Sequence, residues 1–144
     1  MLVYISHAAR DRDKELARHL SRCLTDAGFR VWNAEAELYP GDNYAKKIGE
    51  ALEAADVMIV LITPGAFESS WLLHEVQFAL TAGNFGGRLI PLAVGRSFEA
   101  GSDVPWVLLT PEMSPLYIES IEEGAPRIVE RVKSILEKDY DAAK

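Results

Sequence analysis

Asp56-Val57-Met58-Ile59-Val60-Leu61-Ile62-Thr63 is the stretch that decides the fold, because its six central residues are all apolar. A strand with one face in water alternates apolar and polar residues, whereas a strand of a parallel sheet covered on both faces does not. Pro64-Gly65 follows at once and is a turn signal. The run therefore predicts a central strand of a parallel sheet, buried on both faces.

The residues before this strand alternate between strand and helix patterns. Leu2 to Ser6 and Phe29 to Trp32 are short apolar runs that predict two strands. Between them, residues 11–27 place leucines at four-residue spacing and are followed by Gly28, the pattern of an amphipathic helix and its C-terminal stop. A second helix is predicted after the next loop, with Asp42 as its cap.

The residues after the central run continue the alternation. The same patterns predict a helix over residues 70–82 and a fourth strand from Arg88 to Val94. Two segments compete for a fifth, edge strand: Val104 to Leu109 and Leu116 to Ile118. A last amphipathic helix is predicted from Pro126 to Lys138.

Strands that alternate with helices predict an α/β fold. We expect a flavodoxin-like three-layer sandwich, in which a five-stranded parallel sheet of order 2-1-3-4-5 carries helices on both faces. The chain has 144 residues, which fits one domain. We place that domain over residues 1–138 and expect residues 139–144 to form a frayed tail.

The composition excludes some classes of function. The net charge of -7 disfavours a nucleic-acid partner, because phosphate backbones repel such a surface. Cys23 is the single cysteine, so no intramolecular disulfide can form, which fits a reducing cytoplasm. No apolar run is long enough to cross a bilayer, and Met1 to Ser6 lacks the features of a signal peptide. We therefore expect a cytoplasmic protein without a membrane segment.

A binding crevice is expected beyond the carboxyl ends of the strands, where the strand order reverses. For this order the crevice lies between the first and third strands, flanked by the loops over residues 6–10 and 63–70. The next helix begins beside it, and Trp71 and Glu75 share one helical face because they are four residues apart. A glutamate in a helix is most often a solvated surface residue, so this pattern alone does not decide whether Glu75 has a catalytic role.

Six short stretches, in this order, resemble the bacterial type of Toll/interleukin-1 receptor (TIR) domain. They are Val3 to His7, Gly28 to Trp32, Leu38 to Asp42 at the end of the so-called BB loop, Ala54 to Thr63, Ser70 to Glu75 with its tryptophan-three-residues-glutamate motif, and Leu89 to Leu92. The chain departs from the family pattern at two places. Ala8 and Ala9 stand where catalytic relatives often carry basic residues, and Ala34 stands where many members have an aspartate.

The resemblance implies an enzyme that cleaves the nicotinamide–ribose bond of NAD⁺, with Glu75 as the catalytic residue. The expected products are nicotinamide and either ADP-ribose or a cyclic isomer of ADP-ribose, made in bacterial antiphage immune signalling. Self-association with other TIR domains through the loop over residues 34–43 is expected to activate the enzyme. NAD⁺ is then the substrate, and no cofactor is expected. No metal site is expected either, because the three histidines show no ligand spacing.

Five further residues are expected at the substrate. Ser6 and His7 follow the first strand and are placed at the ribose or the phosphates, although a histidine there is more often a loop surface residue. Tyr39 and Asn43 come from the BB loop region. Trp71 has two interpretations, contact with the ligand or packing beneath Glu75.

Three other functions are weighed against the enzyme. A catalytically silent TIR domain would act as a scaffold through homotypic TIR–TIR contacts and would release no nicotinamide. A nucleoside deoxyribosyltransferase uses a glutamate on a related fold and would exchange bases between deoxynucleosides. A phosphoacceptor receiver domain is disfavoured, because Ile5-Ser6-His7 lacks the paired acidic residues that hold its metal.

Overall fold

The computed structural model describes residues 2–33, 37, 39–68, 70–81, 87–95, 108, 110–111 and 113–142, without the side chains of residues 70, 71 and 138–142. In chain order the elements are β1 (Leu2–Ser6), α1 (Asp11–Asp26), β2 (Arg30–Asn33), α2 (Tyr44–Ala54), β3 (Val57–Ile62), α3 (Ser70–Thr81), β4 (Leu89–Val94), β5 (Leu116–Ile118) and α4 (Ile121–Ala142). A short 3-10 turn, Ala66–Glu68, joins β3 to α3.

The strands form one parallel sheet in the order β2-β1-β3-β4-β5. The predicted fold class and strand order are confirmed. All six residues of β3 are buried, as a central strand covered on both faces requires. In the register of the sheet, Tyr4 of β1 lies beside Trp32 of β2 on one side and Met58 of β3 on the other.

Side chains of successive residues in a strand point to opposite faces, so each strand contributes residues to the hydrophobic core on each face of the sheet. Tyr4 belongs to the core beneath α2 and α3, together with Leu52 and Val76 from those helices. Ile5 belongs to the opposite core, where Leu20 and Val132 come from α1 and α4. The alternation in β1 therefore decides which of its side chains can meet α3.

The cap of α2 lies one residue later than predicted. Asn43, not Asp42, is the N-cap residue, and its side chain accepts a hydrogen bond from the amide of Lys46 at 3.2 Å. The Asp42 carboxylate is turned back instead and accepts from the amide of Tyr39 at 2.7 Å. Both residue types can cap a helix, and the turn at Gly41, which has a φ of +94°, decides between them.

The last helix begins five residues before Pro126, at Ile121. Ser120 and Glu123 explain the early start, because the Ser120 hydroxyl accepts from the amide of Glu123 at 3.2 Å and Glu123 reaches back to the amide of Glu119 at 3.3 Å. This is close to a capping box, a signal that the sequence carries. The helix runs to Ala142, and the domain boundary at 138 with a frayed tail stays a prediction.

The edge strand is the second of the two predicted candidates, Leu116–Ile118. The other candidate, Val104 to Leu109, lies outside the described residues except for Leu108, which is buried. Of the helices in the described ranges, none combines the length and the apolar character that crossing a bilayer requires.

Gly124 is required where α4 approaches β5. A Cβ atom at this position would lie far inside van der Waals contact with Cγ2 of Ile118. We expect Gly124→Ala to lower the free energy of unfolding by about 1–3 kcal/mol, the usual cost of overpacking a core. Urea denaturation measures this change.

Gly49 of α2 is the matched control, because a Cβ atom there meets nothing within 4 Å. Gly49→Ala is expected to raise the free energy of unfolding by roughly 0.5–1 kcal/mol, since alanine is the better helix former. Changes of the same sign at both glycines would contradict the close approach of Gly124 to Ile118.

Candidate active site

Glu75 is a buried carboxylate at the junction of α3 and β1, with only 7% of its surface exposed. The hydroxyl of Tyr4 donates a hydrogen bond to its Oε2 atom at 2.9 Å, and the hydroxyl of Ser6 donates to the same atom at 2.8 Å. Tyr4 and Ser6 are two residues apart in β1, so both point to the face that α3 covers. The structure thus joins Ser6 and Glu75, two of the residues predicted for the site.

Tyr4 is a component of the site that the sequence did not reveal. Its side chain is fully buried, and its ring stacks on Trp32 with centroids 4.9 Å apart and planes 10° from parallel. Burial raises the pKa of Tyr4 far above its ordinary value, and the negative charge of Glu75 and the hydrogen bond to it raise that pKa further. The phenol therefore stays protonated and remains a donor.

Glu75 opens onto a cleft of about 250 Å³ between α2 and α3. The cleft is mostly apolar, and it is lined by Ala45, Ile48, Gly49, Leu52, His74, Glu75 and Phe78. Ligand pockets usually measure about 300–1,000 Å³, so this cleft has room for part of a dinucleotide. A carboxylate set in an apolar wall can stabilise a positive charge strongly, because little water competes for it.

His7 follows β1 and is buried, with 9% of its surface exposed, so the structure overturns the interpretation as a surface loop residue. Its Nδ1 atom lies 2.8 Å from the carbonyl oxygen of Ala8, which can only accept, so Nδ1 carries a proton. Its Nε2 atom lies 3.2 Å from Oδ1 of Asn33, at the end of β2. These contacts hold the His7 ring between the β1 loop and the end of β2. Contact of His7 with the substrate stays a prediction.

Tyr39 and Asn43 form a separate cluster where the BB loop meets α2. Tyr39 is 63% exposed, and the Lys47 ammonium lies 5.9 Å from the centre of its ring. Asp42 accepts a hydrogen bond from the Tyr39 amide and forms an ion pair with Lys47 at 3.1 Å. The hydrogen bond from the Tyr39 amide lowers the pKa of Asp42 most, and Lys47 lowers it further. In the described part of the chain, neither Tyr39 nor Asn43 lines the cleft beside Glu75. Their contact with substrate stays a prediction.

An ionic network around the buried Asp13 joins the two loops that flank the predicted crevice. Arg10 donates from Nε to Asp13 at 2.7 Å, from Nη1 to the carbonyl of Pro64 at 2.9 Å, and from Nη2 to the hydroxyl of Thr63 at 2.7 Å. Thr63 in turn donates to the fully buried carboxylate of Asp13. The spacing of Arg10 and Asp13 was visible in the sequence, but their partners after β3 were not. The network fixes the β1 loop to the segment that leads into α3.

Position 71 lies in the first turn of α3, one helical turn before Glu75, as the motif predicts. The Trp71 side chain lies outside the described residues, so both interpretations of Trp71 remain predictions. Positions 34–36 and 38 of the BB loop also lie outside them.

Known sequences similar to this chain point to one protein family. A family profile described as "TIR domain" matches residues 3–123. The chain is similar to the 2' cyclic ADP-D-ribose synthase BtTIR of Bacteroides thetaiotaomicron, at 35% identity over 63% of this chain and 31% of that protein. It is also similar to the NAD(+) hydrolase TcpA of a Theionarchaea archaeon, at 33% identity over 64% of this chain and 27% of that protein. The chain thus spans less than a third of the length of each of these relatives.

Comparison with solved structures supports the fold. A TIR-STING receptor from C. gigas, solved in complex with 2',3'-cGAMP, aligns with a TM-score of 0.69 at 24% identity, over 90% of this chain and 38% of that one. A 2-deoxyribosyltransferase from Bacillus psychrosaccharolyticus aligns with a TM-score of 0.59 at 13% identity, over 90% of both chains. At these identities the alignments show a shared fold alone.

Proposed function

This chain belongs to the TIR domain family, and from that premise we propose that it cleaves the nicotinamide–ribose bond of NAD⁺ with Glu75 as its catalytic residue. Nicotinamide is released together with ADP-ribose or a cyclic isomer of ADP-ribose. Relatives that carry the names of an NAD⁺ hydrolase and a cyclic ADP-ribose synthase support this proposal.

The observation that carries the proposal is the position of the Glu75 carboxylate. It is buried and accepts two hydroxyl hydrogen bonds from β1, and the Glu75 residue is one of those that line a mostly apolar cleft. A glutamate that served only the surface of α3 would point to water instead. A buried carboxylate with its partners on a rigid sheet is the kind of preorganised charge that stabilises a developing cation.

The proposed chemistry needs one negative charge and no strong acid. The bond between the ribose C1′ atom and the ring nitrogen breaks, and its electron pair stays on nitrogen, so that the pyridinium leaves as neutral nicotinamide. The remaining sugar cation resembles that of glycoside hydrolysis, and Glu75 stabilises it. Water then bonds to C1′ and loses a proton to give ADP-ribose. Attack by a hydroxyl of the same molecule, which loses its proton, gives the cyclic product.

Ser6 has a restricted role in this scheme. Its single hydroxyl proton is already donated to Glu75. A contact with a ribose hydroxyl would therefore use the lone pairs of Ser6 as acceptors. In this proposal Ser6 orients the sugar against the carboxylate and does not act as a nucleophile.

The direct test is incubation of the purified chain with NAD⁺ at high protein concentration, with and without a crowding agent. We expect nicotinamide to accumulate, and mass spectrometry of the second product distinguishes linear from cyclic ADP-ribose. If protein shown to be assembled releases no nicotinamide, the scaffold function replaces the enzyme. Exchange of bases between deoxynucleosides would favour the transferase instead.

We further propose that self-association through the loop over residues 34–43 activates the enzyme, in bacterial antiphage signalling in the cytoplasm. The exposed ring of Tyr39, held by Lys47, suits a contact with a second copy. The single cysteine, Cys23, can form no intramolecular disulfide, which suits a reducing compartment.

Tyr39→Ala tests the role of the loop. Specific activity of the wild type is expected to rise with protein concentration, whereas Tyr39→Ala is expected to need about tenfold more protein for the same activity, the loss of one interface side chain. Light scattering on the same samples reports assembly. Tyr44→Ala, at the exposed start of α2, is the matched control. Unchanged assembly and activity of Tyr39→Ala would reject this surface.

A further inference from the structure

Tyr4 is the residue that links the buried sheet to the carboxylate of the proposed function. Its ring is fully enclosed and stacked on Trp32, and its hydroxyl ends 2.9 Å from Oε2 of Glu75. We propose that Tyr4 is a positioning residue, whose hydroxyl holds the Glu75 carboxylate ionised and in place at the wall of the cleft. The inference rests on the proposed function of Glu75 and adds a residue to its machinery.

The need for such a donor follows from the burial of Glu75. A carboxylate taken out of water loses its hydration, and only hydrogen bonds or opposite charges in the protein can compensate. The cleft that Glu75 lines is mostly apolar. Two hydroxyls from β1 contribute to this compensation. Tyr4 is the more rigid of the two donors, because its ring is fully buried and stacked on Trp32.

Among the described residues that line the cleft with Glu75, the titratable group is His74. The residues that α2 contributes to the cleft carry no charge. From its own helix, His74 lines the same cleft, and β1 contributes Tyr4. A variant at His74 is therefore needed to separate its titration from that of Glu75, and His74→Gln serves this purpose.

Tyr4→Phe removes the hydroxyl and keeps the ring that stacks on Trp32. Loss of a hydrogen bond to a charged group is expected to move the midpoint of the Glu75 titration upward by about one to two pH units. Carbon-13 NMR of labelled glutamate, with Glu75→Gln to assign the signal, measures this midpoint directly. The acidic limb of the pH profile of NAD⁺ cleavage is expected to move upward by the same amount, with little change in KM.

Tyr117→Phe is the matched control, because it removes the same atom from an exposed tyrosine of β5 and should move neither measurement. Replacing all tyrosines with 3-fluorotyrosine keeps the chain intact and makes each phenol a stronger donor. It is expected to move the Glu75 midpoint downward.

Two results would overturn the inference. The first is an unchanged Glu75 midpoint in folded Tyr4→Phe. The second is a loss of activity that is equal at every pH, which would show a structural role alone. If Tyr4→Phe fails to fold, an unmoved midpoint in the fluorotyrosine protein decides against Tyr4. If the wild type cleaves no NAD⁺, the proposed function fails, but the NMR titration still tests the contact between Tyr4 and Glu75.

Discussion

Glu75→Gln is expected to lower kcat/KM for NAD⁺ cleavage by about 10³-fold, or roughly 4 kcal/mol of transition-state stabilisation. Glutamine keeps the shape of the side chain, and its amide oxygen can still accept from Tyr4 and Ser6. What it loses is the negative charge that faces the sugar cation. Nicotinamide release, measured at protein concentrations where the wild type turns over, checks the loss.

The control for this variant is Glu68→Gln, the same chemical change at an exposed residue of the turn before α3. It is expected to keep wild-type activity. Both variants should unfold within about 1 kcal/mol of the wild type, since glutamine fills the same volume as glutamate and leaves no cavity. Substantial turnover by folded Glu75→Gln would remove the carboxylate from the mechanism.

The sequence predicts the sheet well because β3 and its neighbours carry their signals locally. An unbroken apolar run marks Val57–Ile62 as central, and four-residue spacing marks α1 as a helix before any contact between elements is known. The strand order then places the helix that carries Glu75 beside β1. The candidate catalytic residue could therefore be found from one motif and one topology.

The partners of Glu75 could not be predicted in the same way. Tyr4 lies 71 residues before Glu75, and nothing near Tyr4 indicates that its hydroxyl needs an acceptor. A tyrosine in an apolar strand is expected to pack, and Tyr4 does pack, on Trp32. The hydrogen bond depends on the register of β1 beneath α3, to within one residue, because a shift by one would turn Tyr4 to the other face.

The partners of Asp13 in the ionic network could not be predicted from the sequence either, and the loss of Asp13 is expected to lower the stability of the fold substantially. Asp13 lies in the first turn of α1, where an acidic residue usually interacts with the helix dipole at the surface. Here it is completely buried instead, between Arg10 and the hydroxyl of Thr63. Its partner Thr63 lies 50 residues away, so only the fold reveals that this aspartate joins two loops.

Asp13→Ala is expected to lower the free energy of unfolding by about 3 kcal/mol, because Arg10 and Thr63 would lose a buried partner. The Arg10 side chain is 43% exposed and can regain some water, which places the loss at the lower end for buried pairs. Urea denaturation of Asp13→Ala and of Asp11→Ala makes a matched comparison. Asp11 is exposed in the same helical turn, so its loss should cost only about 0.3–1 kcal/mol of dipole interaction. Equal losses would show that Asp13 contributes through the helix terminus rather than through Arg10 and Thr63, and the two loops would then need another connection.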